Sequence, residues 1–134
     1  MNKWWLDYVG LPFLSCGRDR QGCDCYGLLR LIYQDQLGVN LPDLLEYDNT
    51  QQRHRMNDLM KDKPLIIGFE QMEISAVEPL DVLVIRQVGF DCHLGIVIGN
   101  RKMIHSEAGK EAVIEEFTRP HIAPRVKEAW HYVR

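Results

Sequence analysis

The 134-residue chain has no run of ~18 apolar residues, so no segment of it is built to cross a bilayer as a helix. Its start, Met1-Asn2-Lys3-Trp4-Trp5-Leu6-Asp7, lacks the apolar stretch of ~7–15 residues that a secretory signal carries. Positive charge is not in excess either. Sixteen basic against 19 acidic residues leave a net charge of −3, which removes the electrostatic footprint of a nucleic-acid binder. There is no acidic tail, internal repeat or linker. Only four cysteines occur, Cys16, Cys23, Cys25 and Cys92, and no two are spaced C-x2-C, so the usual structural zinc knuckle is absent. With no visible export signal, the expectation is reduced thiols in a cytosol.

What is present is ordinary for a folded domain: 46% apolar and 26% charged residues. The length fits one domain over residues 1–134, with a core that needs no disulfide staples. Asn2 to Val9 reads as a short aromatic helix closed by Gly10 and Pro12, and Leu11 to Asp24 as a loop. A strong helix follows. Asp24 is a good cap, Leu28, Leu29, Leu31 and Ile32 form an apolar stripe, and Gly38 is a stop. Asp43 to Lys63 is polar and expected to be helical, ended by Pro64. Strands then dominate: Val82 to Ile85, His93 to Ile98, Met103 to His105, Ala112 to Phe117 and Val126 to Val133. Helices first and strands after predict an α+β domain with an antiparallel sheet.

Cys25 stands at the start of the strongest helix, directly after its cap. A helix N-terminus offers unpaired N–H groups and partial positive charge, which favour a thiolate and can hold an oxyanion. Such a nucleophile needs a base, and His93 at the start of an apolar strand is the candidate. His105 on the next strand is placed to orient it. A small buried cysteine and two half-buried histidines would be the bland alternative.

Register decides whether the histidines can meet. A two-residue loop at Asn100-Arg101 pairs Gly99 with Lys102 and turns His105 away from His93. A three-residue loop pairs Ile98 with Lys102 and sets His105 opposite Gly95, on the face of His93 and one diagonal step away. That step is about 7–8 Å at Cα, within reach of two imidazoles. Gly95, lacking a side chain, would leave room for the contact.

Tyr8-Val9-Gly10-Leu11-Pro12-Phe13, Gly17 and then Gly22-Cys23-Asp24-Cys25-Tyr26-Gly27-Leu28 resemble the entry motif of the NlpC/P60 cysteine peptidases, in which Asp-Cys-Ser-Gly opens the catalytic helix. Pro79-Leu80-Asp81-Val82-Leu83-Val84 is similar to the family's Pro-Gly-Asp-Leu strand. His93-Leu94-Gly95-Ile96-Val97-Ile98-Gly99-Asn100 and Met103-Ile104-His105-Ser106 resemble its His-x-Gly-Ile-Tyr-x-Gly and Ile-His-Ala elements. The resemblance implies a papain-like core, a Cys25, His93, His105 triad, no cofactor or metal, and peptide stems of bacterial peptidoglycan as substrate.

The short chain, the missing signal and the Asp24-Cys25-Tyr26-Gly27 variant also resemble peptidases of long-tailed phage tail tips. That resemblance implies synthesis in a host cytoplasm, a place in the virion tail and tail-tip proteins as partners, with no nucleic acid or membrane. In family members specific for a free stem N-terminus, Tyr often stands at Phe13 and Ser at Tyr26, where hydroxyls hold the ligand amine. Phe13, Asp24 and Tyr26 are therefore the substrate-binding candidates, with Asp24 equally suited to be a plain helix cap. The Phe13 and Tyr26 departures make a cross-linked or longer stem as plausible a substrate as a free one.

Three other readings stand beside the peptidase: a tail-tip structural or binding module with weak or no activity, an acyltransferase or amidase using the same triad, and a metal held by the clustered cysteines with His93 or His105. Arg18 and Arg20 flank the expected cleft, either as solvated loop charges or as partners of stem carboxylates. Trp4, Trp5 and Trp130 read as packing anchors, and Cys92 as a core residue facing away from His93. No partner is legible for His54, His121 or His131.

Overall fold

The computed structural model describes residues 3–14, 17–41, 68–87 and 90–133. The expected Asp43–Lys63 helix, Cys16 and His54 lie outside the described residues, as does the side chain of Cys92. One α-helix and a six-stranded antiparallel sheet dominate the described residues.

Helix α1 (Cys25–Leu37) forms where the sequence placed it. Asp24 adopts an extended backbone, and its carboxylate accepts a 2.7 Å bond from the N–H of Gly27. At the other end Gly38 takes the left-handed conformation, φ 67°, and caps the carbonyls of Tyr33 and Gln34. Leu28, Leu29, Ile32 and Tyr33 are buried along one stripe. They pack on Val82, Val84, Leu94, Ile96 and Ile104 of the sheet, each aliphatic side chain contributing roughly 1.5–3 kcal/mol when fully covered.

Ahead of the helix the structure departs from the expectation in two places. The aromatic segment makes a single 3-10 turn, Trp4–Asp7, not a helix through Val9. Four residues cannot repay helix nucleation, and Trp4 and Trp5 are held by edge contacts between aromatic rings and by the core they flank. The expected loop contains a small hairpin, β1 (Arg18–Asp19) with β2 (Gly22–Cys23), turned by a bond from the N–H of Gln21 to the Asp19 carboxylate. Gly27 lets this loop lie on the first turn of α1, since a Cβ there would stand 2.0 Å from the Gly17 carbonyl oxygen.

The large sheet runs in the order β3 (Phe69–Met72), β8 (Val126–Tyr132), β4 (Val82–Gln87), β5 (Phe90–Gly99), β6 (Lys102–His105), β7 (Val113–Glu116). Its second face carries a separate core of Leu83, Ile85, Val97, Met103, Phe117, Ile122, Val126 and Ala129. The turn into β4 puts Leu80 at φ 77°, where the family pattern has glycine. A side chain in that region costs about 1–2 kcal/mol, set against the packing of Leu80 on the main core.

The β5–β6 register combines the two possibilities read from sequence. Asn100 and Arg101 both have positive φ, 54° and 61°, and make a two-residue turn with Gly99 opposite Lys102. A bulge at Ile98 then shifts the ladder, so Val97 faces Met103 and Gly95 faces His105. The histidines thus share a face although the turn is the short one. The room left by Gly95 is filled by Met103, whose Sδ lies 2.4 Å from where a Cβ would stand, and not by the imidazoles as expected.

Candidate active site

His93 and His105 are almost fully buried, at 3% and 2% exposure, and their rings meet edge to face. His93 Nε2 and His105 Nδ1 are 2.7 Å apart, a hydrogen bond in which one ring donates and the other accepts. His93 lies opposite Ile85 on β4, and His105 follows Met103 on the same face of β6. Both histidines therefore line a cavity of about 140 Å³ on the second face of the sheet, shared with Glu107, Glu115 and Arg125. Burial, then the charges of His105 and Arg125, push the His93 pKa down to about 3. His93 is a neutral imidazole at neutral pH and able to accept a proton.

The chain leaves the sheet after His105, so no β6 residue lies beside His93. Ser106, the next residue, donates its hydroxyl to the carbonyl of Cys23 at 3.3 Å. This bond fastens the segment just before α1 to the end of β6. Cys25 is the first residue of α1 and 4% exposed. Cys23 is buried too, and burial, with the Asp24 charge adding to it, pushes its thiol up to about 11. Cys23 therefore stays protonated, and the helix start favours Cys25 as the reactive sulfur. Limited alkylation with iodoacetamide near neutral pH should modify Cys25 first, as read by peptide mass spectrometry. A label appearing first on Cys16, Cys23 or Cys92 would remove Cys25 as the nucleophile.

The three substrate-binding candidates sit around the helix start. Asp24 is fully buried, caps α1 and accepts a 3.0 Å charge-assisted bond from Arg18. Tyr26 is fully buried in the main core, with the Arg18 guanidinium 5.3 Å from its ring centroid. Phe13 is half-buried, its N–H bonded to the carbonyl of Lys110. Arg18 therefore belongs to the wall around the helix start, whereas Arg20 is exposed and pairs with Asp35 and the Tyr8 ring.

Two side-chain pairs, one at the histidine cavity and one elsewhere in the sheet, were not legible in the sequence. Glu115 Oε1 lies 2.9 Å from His105 Nε2, extending the histidine pair to a carboxylate on β7. His131 Nδ1 lies 2.6 Å from the buried Asp81 carboxylate, whose other oxygen holds the N–H of Glu78 in the turn before β4. In the β6–β7 ladder Glu115 shares a face with Val113, the partner of His105.

Among the described residues one group could offer a metal three ligand atoms, His93, His105 and Glu107, with those atoms within 4.8 Å of one another. It includes no cysteine. Ligand nitrogens around a tetrahedral zinc at ~2.0–2.1 Å stand roughly 3.3 Å apart. The histidines are closer than that and are bridged by a proton, while Arg125 and Lys110 bring positive charge to the same cavity. The geometry is that of a hydrogen-bonded proton relay.

Comparison with known proteins gives the family and the fold. The curated murein DD-endopeptidase MepS/murein LD-carboxypeptidase of Escherichia coli is 23% identical over 125 residues, 93% of this chain. The chain spans 57% of that relative's length. Among solved structures, the NlpC/P60 domain of the peptidoglycan hydrolase SagA superposes with a TM-score of 0.64 at 20% identity, covering 92% of this chain and 89% of that one. An NLP/P60-family protein from Staphylococcus aureus, described as similar to a lipoprotein, gives a TM-score of 0.69 at 18% identity over 96% of this chain and 39% of the other. These neighbours share the papain-like α+β fold. The model of the NlpC/P60 family matches residues 10–131, from the first glycine of the entry motif to the last strand, and the chain belongs to that family.

Proposed function

We propose that this chain is a cysteine peptidase that hydrolyses the peptide stems of bacterial peptidoglycan, with Cys25 as nucleophile, His93 as base and His105 orienting the base. The observation that carries the reading is the buried, neutral His93 bonded to His105, with Ser106, the residue after His105, bonded to the carbonyl of Cys23 two residues before Cys25. The Cys25 thiol gives its proton to His93 as the sulfur attacks the scissile carbonyl. Backbone N–H groups at the head of α1, with that end's partial positive charge, stabilise the oxyanion. Collapse breaks the C–N bond, and the leaving amine takes the proton from His93. Water, deprotonated by His93, then attacks the thioester and releases the acid and free Cys25. The named activities of the E. coli relative and of SagA support the murein substrate.

Digestion of purified murein, with product masses read for wild type and Cys25→Ala, tests the reading. New stem-cleavage products from wild type alone are expected. No products from wild type, or equal products from the variant, would overturn it.

The Asp24-Cys25-Tyr26-Gly27 variant supports a place for this domain in a phage tail, next to tail-tip proteins. Peptides of the chain should then be found by mass spectrometry in purified virions, and their absence would sink this placement.

Tyr26 and Phe13, in place of hydroxyl-bearing residues that hold a free amine, favour intact murein stems over free tripeptide or tetrapeptide. Tyr26→Ser should move the ratio of kcat/KM toward the free peptide by about 10–200-fold in a competition assay. An unchanged ratio, with stability lowered by roughly 3–5 kcal/mol for the lost ring, would assign Tyr26 to packing beneath Arg18 alone.

A further inference from the structure

We propose that Glu115 is a positioning residue which, through His105, sets the tautomer of His93. The inference rests on Cys25 and His93 being nucleophile and base, and it concerns how the base is held ready. A carboxylate only accepts hydrogen bonds, so the 2.9 Å contact from Glu115 Oε1 places the His105 proton on Nε2. A neutral His105 then has only a lone pair at Nδ1. The nitrogen 2.7 Å away, His93 Nε2, must therefore carry the proton of that bond. A neutral His93 with Nε2 protonated keeps its lone pair at Nδ1, on the far side of the ring from His105. That is the atom required to take the Cys25 proton. The opposite tautomer would present an N–H where a base is needed.

One competitor could reverse the chain. Glu107 Oε1 lies 3.6 Å from His105 Nδ1 and could draw a proton to that nitrogen. At 3.6 Å it makes no hydrogen bond, and its other oxygen lies 3.7 Å from the Lys110 ammonium. Glu115, at 2.9 Å, decides the tautomer. His121, 3.8 Å from the second Glu115 oxygen and exposed, makes no hydrogen bond to it and leaves Oε1 to His105. Glu115 also supplies negative charge at the end of a relay whose first member is kept neutral by burial, then by the charges of His105 and Arg125. A proton arriving on His93 is stabilised across both rings by that carboxylate.

Nitrogen NMR of the full chain with 15N-labelled histidine tests this without turnover. Wild-type His93 should show a protonated-type Nε2 and an unprotonated-type Nδ1. Glu115→Ala should turn that pattern into a tautomer mixture and lower kcat by about 10–100-fold, with KM nearly unchanged. Glu115→Gln, whose amide oxygen can still accept from Nε2–H, should restore the wild-type pattern and most of the rate. A wild-type His93 protonated at Nδ1, or a Glu115→Ala spectrum identical to wild type, would overturn the proposal. The spectrum also separates two failures. The expected tautomer in a chain that leaves murein intact would sink the peptidase reading and keep the relay, while active enzyme with Nδ1 protonated would do the reverse.

Discussion

Cys25→Ala and His93→Ala should reduce murein hydrolysis to background, a loss on the order of 10⁴–10⁶-fold in kcat. In the proposed mechanism Cys25→Ala removes the atom that forms the covalent intermediate, and no other described cysteine can replace it. Cys23 is buried and its thiol is pushed up to about 11. In the same mechanism His93→Ala removes the group that takes the thiol proton and later protonates the leaving amine. His105 acts at one remove, through the 2.7 Å bond to His93 Nε2. His105→Asn leaves a side-chain amide that can still accept from His93, and it should retain clearly more activity than either of the other two. His105→Ala should fall between. The ordering discriminates between roles. If His105→Ala is as inactive as Cys25→Ala while His93→Ala survives, then His105 is the base and His93 its support. Folded yield and far-UV circular dichroism must match wild type for each variant, because both histidines sit in a packed interior.

Much of this site could be read from the chain because its parts are local. The helix cap, the first helical residue and the helix stop are set by Asp24, Cys25 and Gly38 within one element, and the structure places them as the sequence does. The β5–β6 hairpin was half legible. A short turn makes register a choice between two values, and the alternation of apolar residues on β5 fixes which residues face the helix. The bulge at Ile98 could not be foreseen. It lets a two-residue turn at Asn100-Arg101 coexist with the pairing of Gly95 and His105. Glu115 was missed for a different reason. The connection from Ser106 to Ala112 is long enough that no turn rule ties β7 to β6, so the diagonal between His105 and Glu115 appears only in three dimensions. The Asp81–His131 bond is beyond any local rule, since β4 and β8 are far apart in the chain yet adjacent in the sheet. The Leu11–Asp24 segment hid its hairpin because two-residue strands carry no periodicity to read.

Folding stability should decline steeply in mild acid, and His93 should account for much of the slope. Its pKa is pushed from 6.5 to about 3 in the folded chain, first by burial and then by the charges of His105 and Arg125. Between those two values the unfolded chain binds a proton that the folded chain refuses. Protonation therefore favours unfolding throughout that window. The contribution of His93 to stability is complete above about pH 6.5 and is lost progressively as the pH falls toward 3. At 1.36 kcal/mol per pKa unit the window is worth on the order of 5 kcal/mol, against a typical total of about 5–15 kcal/mol for a domain. His93→Gln carries no titrating group at this position, so its urea-unfolding free energy should fall less between pH 6.5 and 4. The variant starts less stable, because the His105 bond is weakened and the packing changed. The two curves should converge or cross as the pH drops. Glu107, Glu115, His105, His121, Lys110 and Arg125 face or line the same cavity. All of them are present in both proteins, so the difference between the curves isolates His93. Parallel curves across the window would mean that His93 binds its proton equally in the folded and unfolded chain. The site could not then hold His93 as the dry, neutral imidazole described above.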